Sequence, residues 1–268
     1  NEEPSWINLI KNRVIPEWEE NHSKKKEPRK TKHHDPWFRL VENKLTEKKA
    51  FGILYYLYYY NGGGVSTGDI NNDGLPDIYF TANTKGNNKL YLNKGNMQFE
   101  DITEKADVAG ISDWCSGVTM VDINADGWLD IYVCCVSGRF GLSGHNALYI
   151  NNTNGTFSEK SKEYDLDFST YAVQAAFFDS DNDGDLDCYL LNESDRPYEN
   201  IVDTSNRRKY DAHSGDKLLR NDGLLGPKGR TTHFTDVSKE AGIYQSNLGY
   251  GLGLAIADIN NDGWNDIY

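Results

Sequence analysis

A nine-residue pattern, Asp-x-Asn/Asp-x-Asp-Gly-x-x-Asp, occurs four times in the chain, and each copy runs straight into a short apolar segment. The copies are DINNDGLPD (Asp69 to Asp77), DINADGWLD (Asp122 to Asp130), DSDNDGDLD (Asp179 to Asp187) and DINNDGWND (Asp258 to Asp266). Their tails read IYF, IYV, CYL and IY. Asp, Asn and Gly favour hairpin turns on their own account. A turn alone, however, has no need of three or more carboxylates in one place, and such a cluster repels itself unless a cation neutralises it. Four copies in register therefore predict a repeat protein whose loops hold a hard metal ion.

Positions 1, 3, 5 and 9 would supply side-chain oxygens. These are Asp69, Asn71, Asp73 and Asp77 in the first loop and Asp122, Asn124, Asp126 and Asp130 in the second. The third offers Asp179, Asp181, Asp183 and Asp187, and the fourth Asp258, Asn260, Asp262 and Asp266. Position 7 can give a backbone carbonyl at Leu75, Trp128 and Trp264, whereas the third copy places Asp185 there. Calcium takes about six to eight oxygen ligands in irregular geometry, and magnesium demands a stricter octahedron. The set holds no His or Cys, which argues against zinc and copper. The expected cofactor is Ca2+, up to four ions per chain. Glycine at position 6 (Gly74, Gly127, Gly184, Gly263) permits the positive φ that lets the chain wrap an ion. An EF-hand loop shares the first six positions but needs an acid at position 12 and a following helix. Position 12 here is Phe80, Val133 and Leu190, and the residues after position 9 are β-branched, aromatic and apolar, which predicts buried strands.

The loops start at residues 69, 122, 179 and 258, and the same four strand-like pieces recur around each of the first three. They are GGVSTGD, DIYFTA, KLYLNKG and FEDIT, then SGVTMVD, DIYVCC, ALYINN and TFSEK, then VQAAFFD, DCYLLN, DKLLRND and HFTDV. Four strands per unit at a period of roughly 50 residues is the pattern of a β-propeller blade. The expected fold class is all-β, a β-propeller of four-stranded blades, here partial: three full blades and the start of a fourth. The blades fall at about 61–105, 114–162, 171–238 and 249–268, the last incomplete. Segments PWFRLVEN and FGILYYLYYY, within 36–60, are possible closing strands.

The segments GYGLGLAIADINNDGWNDIY and GVTMVDINADGWLDIYV resemble the FG-GAP repeats of integrin α-chain propellers and the related VCBS repeats. The run YYYNGGGVSTGDINNDGLPDIYF, with NKLYLNKGNMQFEDITEKA and ALYINNTNGTFSEKSKEYDLD, is closer still to the bacterial VCBS/FG-GAP proteins related to cartilage acidic protein. The resemblance covers about Trp37 to Tyr268 and implies Ca2+ in the nine-residue loops, residue by residue as assigned above. Two departures stand out: the literal Phe-Gly and Gly-Ala-Pro letters are degraded, and no region like the ASPIC/UnbV domain of those relatives is present. Relatives are longer and exported, which implies that the missing C-terminal blades of a full-length chain are partners of this one.

Residues 1–35 form a basic, polar linker centred on KKKEPRKTKHH (Lys24 to His34). No signal-peptide core and no transmembrane stretch is present in the sequence. The net charge of −13 argues against nucleic acid as a partner. Four calcium ions would add eight positive charges, so much of this acidity belongs to the loops. Cys115, Cys134, Cys135 and Cys188 lack zinc spacing. The last three fall inside strand runs, and a disulfide from Cys115 to Cys134 or Cys135 is open but not assigned. Extracellular calcium modules are tuned to millimolar ion, which favours an exported protein: periplasmic, outer-surface or secreted.

The six histidines are scattered, and no nucleophile motif or phosphate loop accompanies them. The expectation is no enzyme but a calcium-binding scaffold for adhesion or for a protein or glycan ligand, with the metal in a structural role. The alternative is a carbohydrate-active or other hydrolytic enzyme on a propeller platform, which would need only two well-placed acids. Blade three carries two insertions, Glu193 to Asp216 and Gly223 to Thr232. The first contains Arg196, Tyr198, Arg207, Arg208 and Tyr210, residue types enriched at binding hot spots, and it is the candidate partner surface. Trp128 and Trp264 are expected to pack between blades.

Overall fold

A computed structural model describes residues 56–194, 204–223 and 232–268. Residues 61–268 form one unit, and residues 1–60 another. Of the latter, Leu57–Tyr60 is a short 3-10 turn, closed by Tyr59 N–H donating to the Tyr56 carbonyl at 3.1 Å. This corrects the closing-strand reading for the end of FGILYYLYYY. Aromatic residues favour strands only where a partner strand supplies packing. Here the rings instead meet one another along the turn, Tyr56 with Tyr58 and Tyr59 with Tyr60. The rest of the proposed closing segment, 36–55, lies outside the described residues.

The larger unit is all-β. Three antiparallel meanders each contain four strands in sequence order. The first is β1 (Val65–Gly68), β2 (Asp77–Phe80), β3 (Lys89–Asn93) and β4 (Phe99–Asp101). The second is β5 (Cys115–Val121), β6 (Asp130–Cys135), β7 (Ala147–Asn151) and β8 (Phe157–Glu159). The third is β9 (Ala172–Phe178), β10 (Asp187–Asn192), β11 (Lys217–Asn221) and β12 (Phe234–Asp236). A two-stranded hairpin of β13 (Ile256–Ala257) and β14 (Asp266–Ile267) follows. One helical turn, α1 (Thr103–Ala106), closes the first meander.

All six residues of β6 are buried, as are all six of β10, which explains why their sequences are continuously apolar instead of alternating. Ile131, Val133 and Cys135 join a core with Tyr79, Leu90 and Val108 of the first repeat. Tyr132 and Cys134, on the opposite face of the same strand, pack with Leu190, Leu219 and Phe234 of the third. A third core sets Phe178, Tyr189 and Leu191 against Leu254 and Ile256. Each sheet is thus one slice in a stack whose cores lie between the slices.

The first strands stand side by side. Gly64 N–H donates to the Ser116 carbonyl at 2.8 Å, Met120 N–H to Ser66 Oγ at 3.1 Å, and Thr119 Oγ1 to the Ala175 carbonyl at 2.7 Å. Such close backbone approach needs glycine: a methyl group on Gly117 would lie 2.3 Å from the Val173 carbonyl oxygen. Gly117→Ala is expected to destabilise the chain by about 1–3 kcal/mol, because the second and third sheets must part to admit it. Gly253→Ala, with open space around the new methyl group, is expected to stay within about 0.5 kcal/mol of the parent. Urea unfolding of the two variants decides the point, and equal midpoints would refute the close-approach argument.

A polar linkage repeats inside the stack. Asn88 Nδ2 donates to the Tyr79 hydroxyl at 3.0 Å, and that hydroxyl donates to the Val108 carbonyl at 2.7 Å. Asn146, Tyr132 and the Leu166 carbonyl repeat the arrangement. The third repeat has Asp216 in place of the asparagine. Its Oδ1 accepts from Asn192 N–H at 2.8 Å and its Oδ2 from the Tyr189 hydroxyl at 3.2 Å. Burial pushes the Asp216 carboxyl up to about 6. A raised folded-state value means that stability is full below the unfolded value, near 4, and is lost as pH climbs through about 6. Asp216→Asn is therefore expected to raise stability by about 2 kcal/mol above pH 6 and to leave it unchanged below pH 4. Thermal midpoints across that range test this, and a pH-independent difference would defeat it.

Candidate metal centres

The four nine-residue loops join β1 to β2, β5 to β6, β9 to β10 and β13 to β14, so position 9 is always the first residue of a second strand. Neighbouring loops touch: Asn72 Nδ2 donates to the Gly127 carbonyl at 3.1 Å, and Asn265 Nδ2 reaches the Asp179 carbonyl at 3.4 Å. The backbone is the same in all four. Position 6 glycine has φ of 84° to 98° (Gly74, Gly127, Gly184, Gly263), as the ion-wrapping argument requires. Position 4 is also left-handed, at Asn72, Ala125, Asn182 and Asn261, a feature the sequence reading missed. Asparagine tolerates that region and its presence in three of the four copies was the available signal.

Each loop is pre-folded around its own carboxylates. Position 1 accepts from two amides: Asp122 Oδ1 from Asp126 N–H at 3.0 Å and Oδ2 from Gly127 N–H at 2.8 Å. Asp69, Asp179 and Asp258 do the same in their loops. Position 5 takes the amide of position 7. Asp73, Asp126, Asp183 and Asp262 thus hold Leu75, Trp128, Asp185 and Trp264 by their N–H groups. The position 3 asparagines Asn71, Asn124 and Asn260 donate to the position 5 carboxylates.

Position 9 is the buried member in the first three loops. Asp77 and Asp130 are fully buried and Asp187 nearly so. Each clamps two distant backbone amides. Asp130 Oδ2 accepts from Ile123 N–H at 3.2 Å and its Oδ1 from Asn151 N–H, at the end of β7, at 2.8 Å. Asp77 does this with Ile70 and Asn93, and Asp187 with Ser180 and Asn221. Asp266 accepts from Ile259 N–H at 3.0 Å. Burial raises the Asp77 carboxyl and lifts that of Asp130 to about 7.

In the third loop the acids converge. Carboxylate oxygens of Asp179, Asp181 and Asp187 all lie within 4.8 Å of one another. Burial, followed by the negative charge of Asp187 and Asp183, raises the Asp181 carboxyl. Burial and the neighbouring Asp183 push Asp185 up to about 6. An all-oxygen donor set that repels itself fits a hard cation such as calcium.

The pattern of the FG-GAP-like repeat family matches residues 69–133 and 135–190, which span the first three nine-residue loops. The chain carries FG-GAP-like repeats. It is 29% identical over 215 residues to cartilage acidic protein 1 of Xenopus tropicalis, which covers 78% of this chain and 28% of the relative. Against human cartilage acidic protein 1 the identity is 32% over 183 residues, or 65% of this chain and 26% of the relative. The chain spans about a quarter of the length of these curated relatives.

Two further expectations meet the FG-GAP frame differently. Trp128 lines a groove with Ile70 and Leu92 of the preceding repeat, as expected of a residue between slices. Trp264 does not pack that way: it is 51% exposed, because no sheet follows β14 among the described residues. Of the candidate partner residues, Arg196 and Tyr198 lie outside the described residues. Arg207 and Arg208 end a short 3-10 turn, Thr204–Arg208, and are exposed together with Tyr210. The Arg207 guanidinium lies over the Tyr244 ring, 4.7 Å from its centroid, so that cation is already engaged within the chain. Gly223, where the second insertion begins, adjoins Asp185: a methyl group there would sit 3.2 Å from its Oδ2.

Proposed function

We propose that this chain is a calcium-stabilised β-propeller segment of an exported protein, serving as a scaffold for adhesion or for recognition of a protein or glycan. The observation that carries the metal assignment is the convergence of Asp179, Asp181 and Asp187 in a loop whose backbone the other three copies repeat. Calcium there would neutralise the repulsion and pin each first-to-second-strand turn. The propeller reading is supported by three successive meanders whose first strands run side by side and whose cores lie between slices. Further blades of a longer chain are the fitting cover for the exposed Leu252, Ile259, Trp264 and Tyr268. Export agrees with the millimolar calcium that such sites are tuned to. No helix among the described residues is long and apolar enough to cross a membrane.

The scaffold role rests on where the acids are. Those with a recurring pattern sit in the loops, and the exposed face carrying Arg208 and Tyr210 offers the residue types of a binding surface. Elemental analysis after exhaustive dialysis against calcium-buffered solution is the direct test. Three to four calcium ions per chain are expected, and a chain that retains none would overturn the assignment.

A further inference from the structure

Cys115 is the first residue of β5 and Cys135 the last of β6, and the two are paired across the strands. Their sulfurs are 2.9 Å apart. That is closer than the about 3.5–4.0 Å at which even the smaller carbon atoms rest in non-bonded contact. The backbone permits a bond. Cys115 N–H donates to the Ala82 carbonyl at 3.1 Å, and Cys135 N–H to Asn146 Oδ1 at 2.8 Å, so neither amide is directed at the other residue of the pair. A cross-strand pair of this non-hydrogen-bonded kind brings its Cα atoms to about 4.5 Å, within the span a disulfide bridges, about 4.4–6.8 Å. Both side chains are buried against Val118, Val133 and Ala147, which shields a bond once made. The remaining cysteines, Cys134 and Cys188, face the other core.

We propose that Cys115 and Cys135 form a disulfide that clamps the β5–β6 hairpin, while Cys134 and Cys188 stay reduced. The bond closes a ring between residues 20 apart in sequence that encloses the whole second nine-residue loop. The oxidant is a small or protein disulfide of the kind that acts by thiol exchange. The Cys115 thiolate attacks one of its sulfurs and expels the other as a thiolate, forming a mixed disulfide. The Cys135 thiolate then displaces the remaining oxidant sulfur. Two electrons and two protons leave with the oxidant, now a dithiol or a pair of thiols. Burial requires the exchange to precede packing of the second sheet on the first, or to follow a local opening of that edge.

The test uses the whole 268-residue chain, secreted into an oxidising compartment and purified without reductant. It is denatured in metal-free guanidinium and split, one portion being treated with a maleimide directly and the other after reduction, and both are weighed. Two added maleimides before reduction and four after are expected, with a digest yielding one linked peptide pair containing Cys115 and Cys135. Four maleimides before reduction, or a link that includes Cys134 or Cys188, would overturn the proposal. The count is taken without calcium, so it stands whatever the loops bind. Reduction is further expected to lower the thermal midpoint by on the order of 10 °C. The double variant C115A/C135A should show no response to reductant, and a response of parental size would also overturn it.

Discussion

Chelation with EDTA is expected to lower the thermal midpoint of this chain by on the order of 10 °C, and magnesium at equal concentration is expected to restore little of the loss. Mass action sets the size of the effect. A ligand at ten times its dissociation constant stabilises the folded state by about 1.4 kcal/mol per site. The three loops set in four-stranded sheets then give about 4 kcal/mol, and each kcal/mol moves the midpoint of a domain this size by about 2–4 °C. Magnesium falls short because these loops offer a wrapped, irregular oxygen set and would force it to shed waters it holds tightly. Circular dichroism melts in excess calcium, in EDTA and in magnesium make the comparison. A midpoint that ignores EDTA would leave the loops as hydrogen-bonded turns and return the acids to consideration for catalysis.

Much of the fold was legible because the sequence states it more than once. A single DIYV or DCYL segment reads equally as strand or as buried helix. Its recurrence after each Asp-Gly loop fixes it as a second strand, and β2, β6 and β10 begin at Asp77, Asp130 and Asp187 as that reasoning requires. What repeats at a variable distance stayed hidden. Asn93, Asn151 and Asn221 end the third strands and give their amides to the position 9 carboxylates, yet they follow those acids by 16, 21 and 34 residues. Each also donates its side-chain amide to the chain just before position 9, at Pro76, Leu129 and Leu186. The recurring LYLN, LYIN and LLRN segments were the signal, but only the folded meander shows what the asparagine meets. Leu57–Tyr60 was illegible for the opposite reason: this segment has no second copy to compare, and it forms a 3-10 turn where a closing strand was possible.

Asp130→Ala is expected to be the most damaging single change in the second loop, and its cost separates two roles that the loop combines. Asp130 is buried and its two oxygens satisfy the amides of Ile123 and Asn151. Leaving a buried amide unpaired costs about 1–3 kcal/mol, so the variant should lose about 2–5 kcal/mol even in EDTA. Asp126 provides the contrast. It is exposed, and its Oδ1 holds the Trp128 amide at 2.9 Å in a solvent-facing turn. Asp126→Ala should therefore cost less than about 1 kcal/mol in EDTA, yet forfeit the second loop's share of calcium stabilisation. Asp130→Asn falls between, because its carbonyl can serve one amide while its NH2 group confronts the other. Urea titrations of all three with and without calcium form a cycle in which the metal plays the part of the second mutation. If Asp130→Ala and Asp126→Ala lose equal stability in EDTA, the buried clamp has no role apart from the ion. If Asp130→Ala alone is costly there, the carboxylate first builds the hairpin and the ion strengthens a loop already shaped to receive it.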